Sequence, residues 1–254
     1  MTTRARIDVF PTSDDLASAA ADRFVSAADD AIRASGRFAV ALSGGATPKR
    51  VYARLATEPY VSRVEWSRVH WFWGDERCVP PDDPASNYRM ASDALLDRIP
   101  ILEATVHRIR GEDHPAVAAA AYEQTLRETF ATPAGAPQRT PRARFDLVLL
   151  GMGANGHTAS LFPGMTAVRE RERWVMAEYV EAVSMWRVTL TPLLLNAASD
   201  VMFLVAGPEK AAMLHRVLEG PYQPNALPAQ AIVPADGHPL WLVDAAAAAD
   251  LSER

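Results

Sequence analysis

Leu147, Val148, Leu149 and Leu150 form an unbroken aliphatic run, followed at once by Gly151-Met152-Gly153-Ala154-Asn155-Gly156-His157. A continuous apolar run suits a strand buried on both faces of a parallel sheet, because a strand with one wet face alternates. Such a strand ends at the carboxyl edge of the sheet, where loops converge and leave a crevice for ligands. Glycines at 151, 153 and 156 permit positive φ and close approach of backbone to a ligand. His157 is then delivered to the crevice, and histidine is the side chain that titrates near neutrality. Alone, the stretch fits two readings: a histidine that does chemistry, or a tight strand-to-helix turn carrying a hydrogen-bonded structural histidine.

The same grammar recurs along the chain. Residues 6–10 read as a strand ended by Pro11, and Ser13-Asp14-Asp15 supplies an N-cap and an acidic first turn. Leu16, Ala20, Phe24, Ala28 and Ile32 continue that helix as an apolar stripe, which ends near Ser35-Gly36. Phe38 to Leu42 is the next buried strand, followed by Ser43-Gly44-Gly45-Ala46-Thr47-Pro48-Lys49. Thr47 suits an N-cap and Pro48 the first position of a helix through Val51, Tyr52 and Leu55. A glycine turn running into a helix N-terminus presents free N–H groups and the positive end of a dipole, which makes a cradle for phosphate or carboxylate. The pattern is neither a Walker loop nor the dinucleotide fingerprint. A plain strand-to-helix turn is the alternative.

Val69 to Trp73 reads as a third buried strand, with Gly74-Asp75-Glu76-Arg77 at its end. The planar fork of Arg77 matches phosphate, with Asp75 or Glu76 able to hold it, unless the segment is a solvated loop with a surface ion pair. Prolines 80, 81 and 84 make the next segment a stiff loop able to wall a pocket. Ser86 caps a helix through Tyr88, Met90 and Leu95; residues 113–130 form another helix, and 131–142 an exposed loop without chemistry. Strands follow at 174–177 and 187–191, then a helix at 193–197 and a strand at 201–206. Gly207-Pro208-Glu209-Lys210 opens a helix through Met213, Leu214 and Val217. Lys210 is either near the carboxyl edge for a purpose or a solvated helix lysine. Leu240 to Val243 is a last strand, ahead of an alanine-rich helix. Strands alternating with helices predict an α/β fold, a mostly parallel sheet with helices on both faces.

With 254 residues, 49% of them hydrophobic, and no Ser/Gly linker, residues 1–254 are expected to be one domain with a substantial core. A net charge of −5 and a sequence pI near 5.7 give no reason to expect general nucleic-acid binding. Cys78 is the sole cysteine, which rules out an intramolecular disulfide and a thiolate-rich metal site and fits a reducing cytoplasm. No apolar stretch reaches the roughly 18 residues of a membrane span, and no signal peptide is expected.

Five motifs occur in one order: Ser43-Gly44-Gly45-x-Thr47-Pro48; Gly74-Asp75-Glu76-Arg77-x-Val79-Pro80 with Ser86-Asn87-Tyr88; Gly151-Met152-Gly153-x-x-Gly156-His157-Thr158-Ala159-Ser160-Leu161-Phe162-Pro163; Arg187-x-Thr189-Leu190-Thr191; and Gly207-x-x-Lys210. Through them the chain resembles the 6-phosphogluconolactonases of the glucosamine-6-phosphate isomerase/6-phosphogluconolactonase family over nearly its whole length. The resemblance implies a Rossmann-like (NagB/RpiA-like) sheet and hydrolysis of 6-phospho-D-glucono-1,5-lactone in the oxidative pentose phosphate pathway. No metal or cofactor is expected. It makes His157 the general base, assisted by Asn155 and Arg77. Ser43, Gly44, Gly45 and Thr47 would hold the phosphate, with Arg77, Arg187 and Lys210 as cationic partners. The expected partner is a phosphosugar lactone, not nucleic acid or membrane, for a cytoplasmic monomer or weak homodimer. The sequence offers no Gly-x-Ser-x-Gly elbow and no His-Glu-x-x-His helix.

One position departs from the pattern. The family commonly has Asp two residues before the histidine, where this chain has Asn155. A carboxylate there would favour the protonated imidazole; asparagine accepts a hydrogen bond but brings no charge, so His157 is expected to titrate lower. A deaminase of the same family continues after its histidine into Phe-Asn-Glu-Pro with a catalytic glutamate, which Thr158 to Pro163 lacks. A silent sugar-phosphate sensor is the non-enzymatic alternative.

Overall fold

The computed structural model describes residues 6–131, 144–234 and 237–252. Six strands make a parallel sheet: β1 (Arg6–Phe10), β2 (Phe38–Leu42), β3 (Val69–Trp73), β5 (Leu147–Leu150), β8 (Asp200–Val205) and β9 (Leu240–Asp244). Their order is β1-β9-β8-β5-β2-β3. Every residue of β2 and β5 is buried, as expected of continuous apolar runs covered on both faces. Chain order reverses between β2 and β5: from β2 the next strand, β3, lies on one side, while β5, β8 and β9 build out on the other. Loops leaving neighbouring strands at such a switch point diverge, and a crevice opens between them. Ser43–Thr47 leaves β2 and Gly151–His157 leaves β5, so the topology alone sets these two segments side by side.

Helices connect the strands. α1 (Ser13–Ser35) ends at Gly36, whose φ of 79° is the left-handed conformation that glycine tolerates. Its cap is Thr12 rather than Ser13: the Thr12 hydroxyl accepts from Asp15 N at 3.1 Å and donates to the Asp15 carboxylate at 2.7 Å. α2 (Ala46–Leu55) starts one residue before the expected Thr47 cap, with Gly45 in that place and Thr47 in the first turn. α3 (Asn87–Ala94) is capped by Ser86 as expected, through Arg89 N at 3.1 Å. α4 (Pro115–Thr129), the single-turn α5 (Pro192–Leu195) and α6 (Ala211–Leu218) complete the set among the described residues. Residues 131–142, expected as an exposed loop, fall outside the described residues except for Ala131.

Two further expectations fail. Strands and helices do not alternate throughout: β4 (Asp75–Arg77), β7 (Met185–Leu190) and β6 (Val175–Val180) form a separate antiparallel sheet in that order. Asp75-Glu76-Arg77 is therefore a short strand with both carboxylates buried, not a loop. The alanine run after β9 makes turns instead of a helix. Alanine propensity is a weak prior, a segment this short cannot nucleate alone, and only Ala247 of residues 245–249 is buried. The Asp244 carboxylate instead takes Ala247 N at 2.8 Å and Gly207 N at 3.1 Å, tying β9's end to the turn after β8.

Two tyrosines finish the sheet where strand pairing stops. The fully buried Tyr52 hydroxyl, from α2, receives Ser43 N at 2.9 Å and donates to Ser43 O at 2.8 Å, just past the end of β2. The Tyr122 hydroxyl, from α4, does the same for Trp73 N and O at the end of β3, both at 2.9 Å. Each satisfies one backbone donor and one acceptor that burial would otherwise strand. Replacing Tyr52 with Phe should cost about 1–3 kcal/mol, since two buried backbone groups lose their partner. Differential scanning calorimetry should read this as a lower Tm, with Tyr60→Phe, whose hydroxyl makes one 3.3 Å bond to Ser18 O, losing less.

Candidate active site

The first wall of the site is the turn after β2. Ser43 is fixed through its backbone by Tyr52, and Gly44 lies so close to α3 that a Cβ there would come within 1.9 Å of Asn87 Oδ1. Gly45, at φ 106°, turns the chain into α2 and leaves the first-turn N–H groups of Ala46 and Thr47 without intrahelical partners. Those groups carry the positive end of the α2 dipole.

The second wall comes from the antiparallel sheet. Arg77 and Arg187 are direct partners in the β4·β7 register. Like charges directly opposite destabilise a sheet, so something outside the protein is the natural partner for the pair. Neither guanidinium lies within ion-pair distance of a carboxylate among the described residues. Both Nε atoms are buried without a hydrogen-bond partner. Burial and the nearby Arg77 hold Arg187 below the usual guanidinium range. The neighbouring acids do not grip the Arg77 fork, which donates instead to Ala85 O. Glu76 serves α3: it accepts from Asn87 N at 2.7 Å, Tyr88 N at 2.8 Å and Ser86 Oγ at 2.9 Å, and also from Arg77 N at 2.8 Å. Burial raises the Glu76 carboxyl, and these four hydrogen bonds act against the rise. Two of those donors are first-turn amides of α3 that have no partner within the helix.

The third wall is the loop after β5, and its three glycines divide the work. Gly156, at φ 79°, supplies the left-handed turn. Gly153 lies under the imidazole, where a Cβ would approach His157 Cε1 to 2.0 Å. Gly151 does neither, its nearest neighbour to such a Cβ being Ser43 Oγ at 3.8 Å. No helix follows the loop, which removes the reading of a strand-to-helix turn. Asn155 Oδ1 accepts from His157 N at 3.2 Å and lies 2.6 Å from His157 Nδ1. An amide oxygen can only accept, so Nδ1 carries a proton and Nε2 is the basic nitrogen of the neutral ring. Phe162 stacks on the imidazole at 4.1 Å between centroids, fixing its plane. Burial pushes the His157 pKa down to about 4; Asp75 opposes this, and Lys210, Arg187 and Arg77 add to it.

These walls enclose a cleft of about 500 Å³. Ser43, Gly44, Gly45 and Thr47 line it on one side, and Arg77, Arg187, Lys210 and His157 line the rest. Asn155 alone among the expected site residues does not line the cleft; it stands behind His157 as its hydrogen-bond partner. Lys210 arrives on the turn begun by Gly207 at φ 103°, just before α6. Three residues outside the expected site set also belong here: Asp75, expected only to hold Arg77, lines the cleft with Ser160 and Asn87, and all three are buried. Buried polar side chains inside the shared motifs were the available signal for them. Among the described residues, no group of three or more His, Cys, Asp and Glu side chains is placed to hold a metal ion, and no helix is long and apolar enough to cross a membrane.

A family model for glucosamine-6-phosphate isomerases and 6-phosphogluconolactonases matches residues 11–241. The chain belongs to this family. A 6-phosphogluconolactonase from Nostoc sp. is 42% identical over 247 residues, covering 97% of this chain and 98% of that protein. One from Haemophilus influenzae is 36% identical over 208 residues, covering 82% of this chain and 85% of that protein. The solved 6-phosphogluconolactonase from Trypanosoma cruzi superposes with a TM-score of 0.84 at 30% identity, over 100% of this chain and 99% of that one.

The geometry separates the first two glycines of the loop. Gly153→Ala should displace the imidazole and lower turnover of a phosphorylated sugar lactone about 100-fold, the size of loss that a misplacement near 1 Å produces. Gly151→Ala should stay within about threefold of wild type, because its methyl makes only an ordinary contact, with Ser43 Oγ at 3.8 Å. A steady-state assay of the two variants, with circular dichroism to verify folding, measures the contrast.

Proposed function

We propose that the protein hydrolyses 6-phospho-D-glucono-1,5-lactone to 6-phospho-D-gluconate, with His157 as general base. The observation that carries this reading is one cleft holding an uncompensated Arg77/Arg187 pair beside an imidazole whose tautomer is set by Asn155. A dianionic phosphate answers the two guanidinium groups, Lys210 and the α2 N-terminus together, and bidentate arginine contacts to phosphate are strong as well as directional. Family membership supplies the substrate class, since the relatives at 36–42% identity carry the lactonase name.

Binding the phosphate at the cradle positions the lactone ring in the cleft with its carbonyl toward His157. Nε2 takes a proton from a water molecule as that water attacks the carbonyl carbon, forming a tetrahedral oxyanion. The imidazolium then returns the proton to the ring oxygen as the carbon–oxygen bond breaks, which opens the ring to the acid. A lactone is an activated ester, so a positioned base and the cationic field of Arg77, Arg187 and Lys210 suffice in this scheme, without a metal or a covalent serine.

The deciding assay is lactone hydrolysis over the spontaneous background, for wild type and His157→Ala. Wild type should exceed the background and His157→Ala should lose most of the gain, by roughly 10²–10⁴-fold. Equal rates for the two proteins would reject the mechanism. The pH profile gives a second check. With a pKa pushed down to about 4, His157 is neutral and basic from weakly acid to neutral pH. The rate constant kcat/KM should therefore be flat there and fall only as pH drops toward 4. Asn155→Asp puts a carboxylate beside Nδ1, stabilises the imidazolium and should move that acidic limb to higher pH. An unmoved limb would show that residue 155 does not tune the base.

A further inference from the structure

Asn155 brings no charge to the imidazole, yet a carboxylate does reach the same loop from another strand. Asp75 is buried on β4, at 7% exposure, and is not in an ion pair among the described residues. Its Oδ2 accepts from Ser160 Oγ at 2.6 Å, three residues beyond His157. On the other side, Asn87 Nδ2 donates to Asp75 O at 2.9 Å and to Asp75 Oδ1 at 3.2 Å. The Asn87 amide in turn rests against Gly44 of the anion cradle, where no Cβ would fit. Ser160 needs such an anchor: Ala159, just before it, sits at φ 46°, a conformation that non-glycine residues adopt only when the surroundings impose it. The remaining tie is weaker, Ser160 N to Thr189 Oγ1 at 3.2 Å.

We propose that Asp75 is a positioning residue for the general base, clamping the His157 loop through Ser160 and joining it through Asn87 to the turn that holds the phosphate. This deepens the lactonase reading and rests on it. A loop held before His157 by Asn155 and after it by Asp75 through Ser160, with Phe162 stacked on the ring, resists tilting of the ring when the phosphate settles. The charged groups that act on His157 are Asp75 and Arg77 from β4, Arg187 from β7 and Lys210 ahead of α6, and Glu209, beside Lys210, also lines the cleft. Asp75 is the anion that acts on the ring directly, so it is also the group that favours the imidazolium formed as the water is deprotonated.

The two roles are separable by substitution. Asp75→Asn keeps the backbone carbonyl for Asn87 and an oxygen for Ser160 but removes the charge. Ser160→Ala keeps the charge and removes the clamp. Ser160→Ala should lower kcat about tenfold with KM within about twofold, because the phosphate contacts lie elsewhere. Asp75→Asn should also lower kcat, and should shift the acidic limb of kcat/KM to lower pH, a movement that Ser160→Ala does not produce. Asp75→Ala removes the charge and the acceptor together, so adding Ser160→Ala to it should cost little more, since those two substitutions break the same hydrogen bond. Full kcat in Ser160→Ala, an unmoved limb in a folded Asp75→Asn, or multiplicative losses on adding Ser160→Ala to a folded Asp75→Ala would overturn the assignment. If Asp75→Asn does not fold, the kcat and KM of Ser160→Ala decide. Wild type and His157→Ala run alongside. A wild type no faster than background rejects the lactonase reading and this proposal with it; an active wild type with an unaffected Ser160→Ala rejects only the role of Asp75.

Discussion

The site depends on burying two adjacent carboxylates, Asp75 and Glu76, immediately after the parallel sheet ends. A buried carboxylate is costly unless its oxygens are met by donors. Glu76 meets that condition with the first amides of α3, and Asp75 with Asn87 and Ser160. In doing so the two acids define where α3 begins and where the histidine loop lies. Neither makes an ion pair with Arg77, and this leaves Arg77 and Arg187 opposed in the cleft wall with their buried Nε atoms unpartnered. The protein thus stores an unsatisfied positive field at the one place where an anionic ligand can relieve it.

Sheet topology supplies the other half. Because chain order reverses between β2 and β5, the loop that ends in a helix N-terminus and the loop that carries the imidazole leave adjacent strands. A phosphate and a reacting carbonyl a few bonds apart in one small molecule can therefore meet both at once. Tyr52 and Asn87 hold the first loop, while Asn155, Phe162 and Asp75 hold the second, so the cleft is shaped before a ligand arrives. In the proposed mechanism, such preorganisation converts binding energy into alignment of water, base and carbonyl.

Much of this was readable in the chain. The apolar-rich runs at 38–42, 69–73, 147–150 and 201–205 became buried parallel strands, since a residue buried on both sides has no reason to alternate. Ser43–Thr47, Arg77, His157, Arg187 and Lys210 were legible as site residues, and they line one cleft. Hydrogen bonds that join distant segments were not legible. Nothing local distinguishes Tyr52 or Tyr122 from an ordinary core aromatic, because each hydroxyl finds its partner on a strand end brought close only by folding. Asp75-Glu76-Arg77 read either as a phosphate grip or as a solvated charged loop, and the side-chain donors that make the burial of its two acids tolerable lie ten or more residues away. The alanine run after β9 misled for the converse reason, since local propensity had no apolar face to bury.

The sequence by itself determined the fold class, the strand ends and the chemical kinds of residue placed there, because hydrophobic period, glycine turns and helix caps are local properties. Only the tertiary structure decided that Arg77 faces Arg187, that Glu76 holds α3 rather than an arginine, and that Asp75 lies against the histidine loop. Pairing of buried polar groups is a long-range condition: each must find a donor or acceptor somewhere in the folded chain, and that partner exists only once the strands and loops have been brought together.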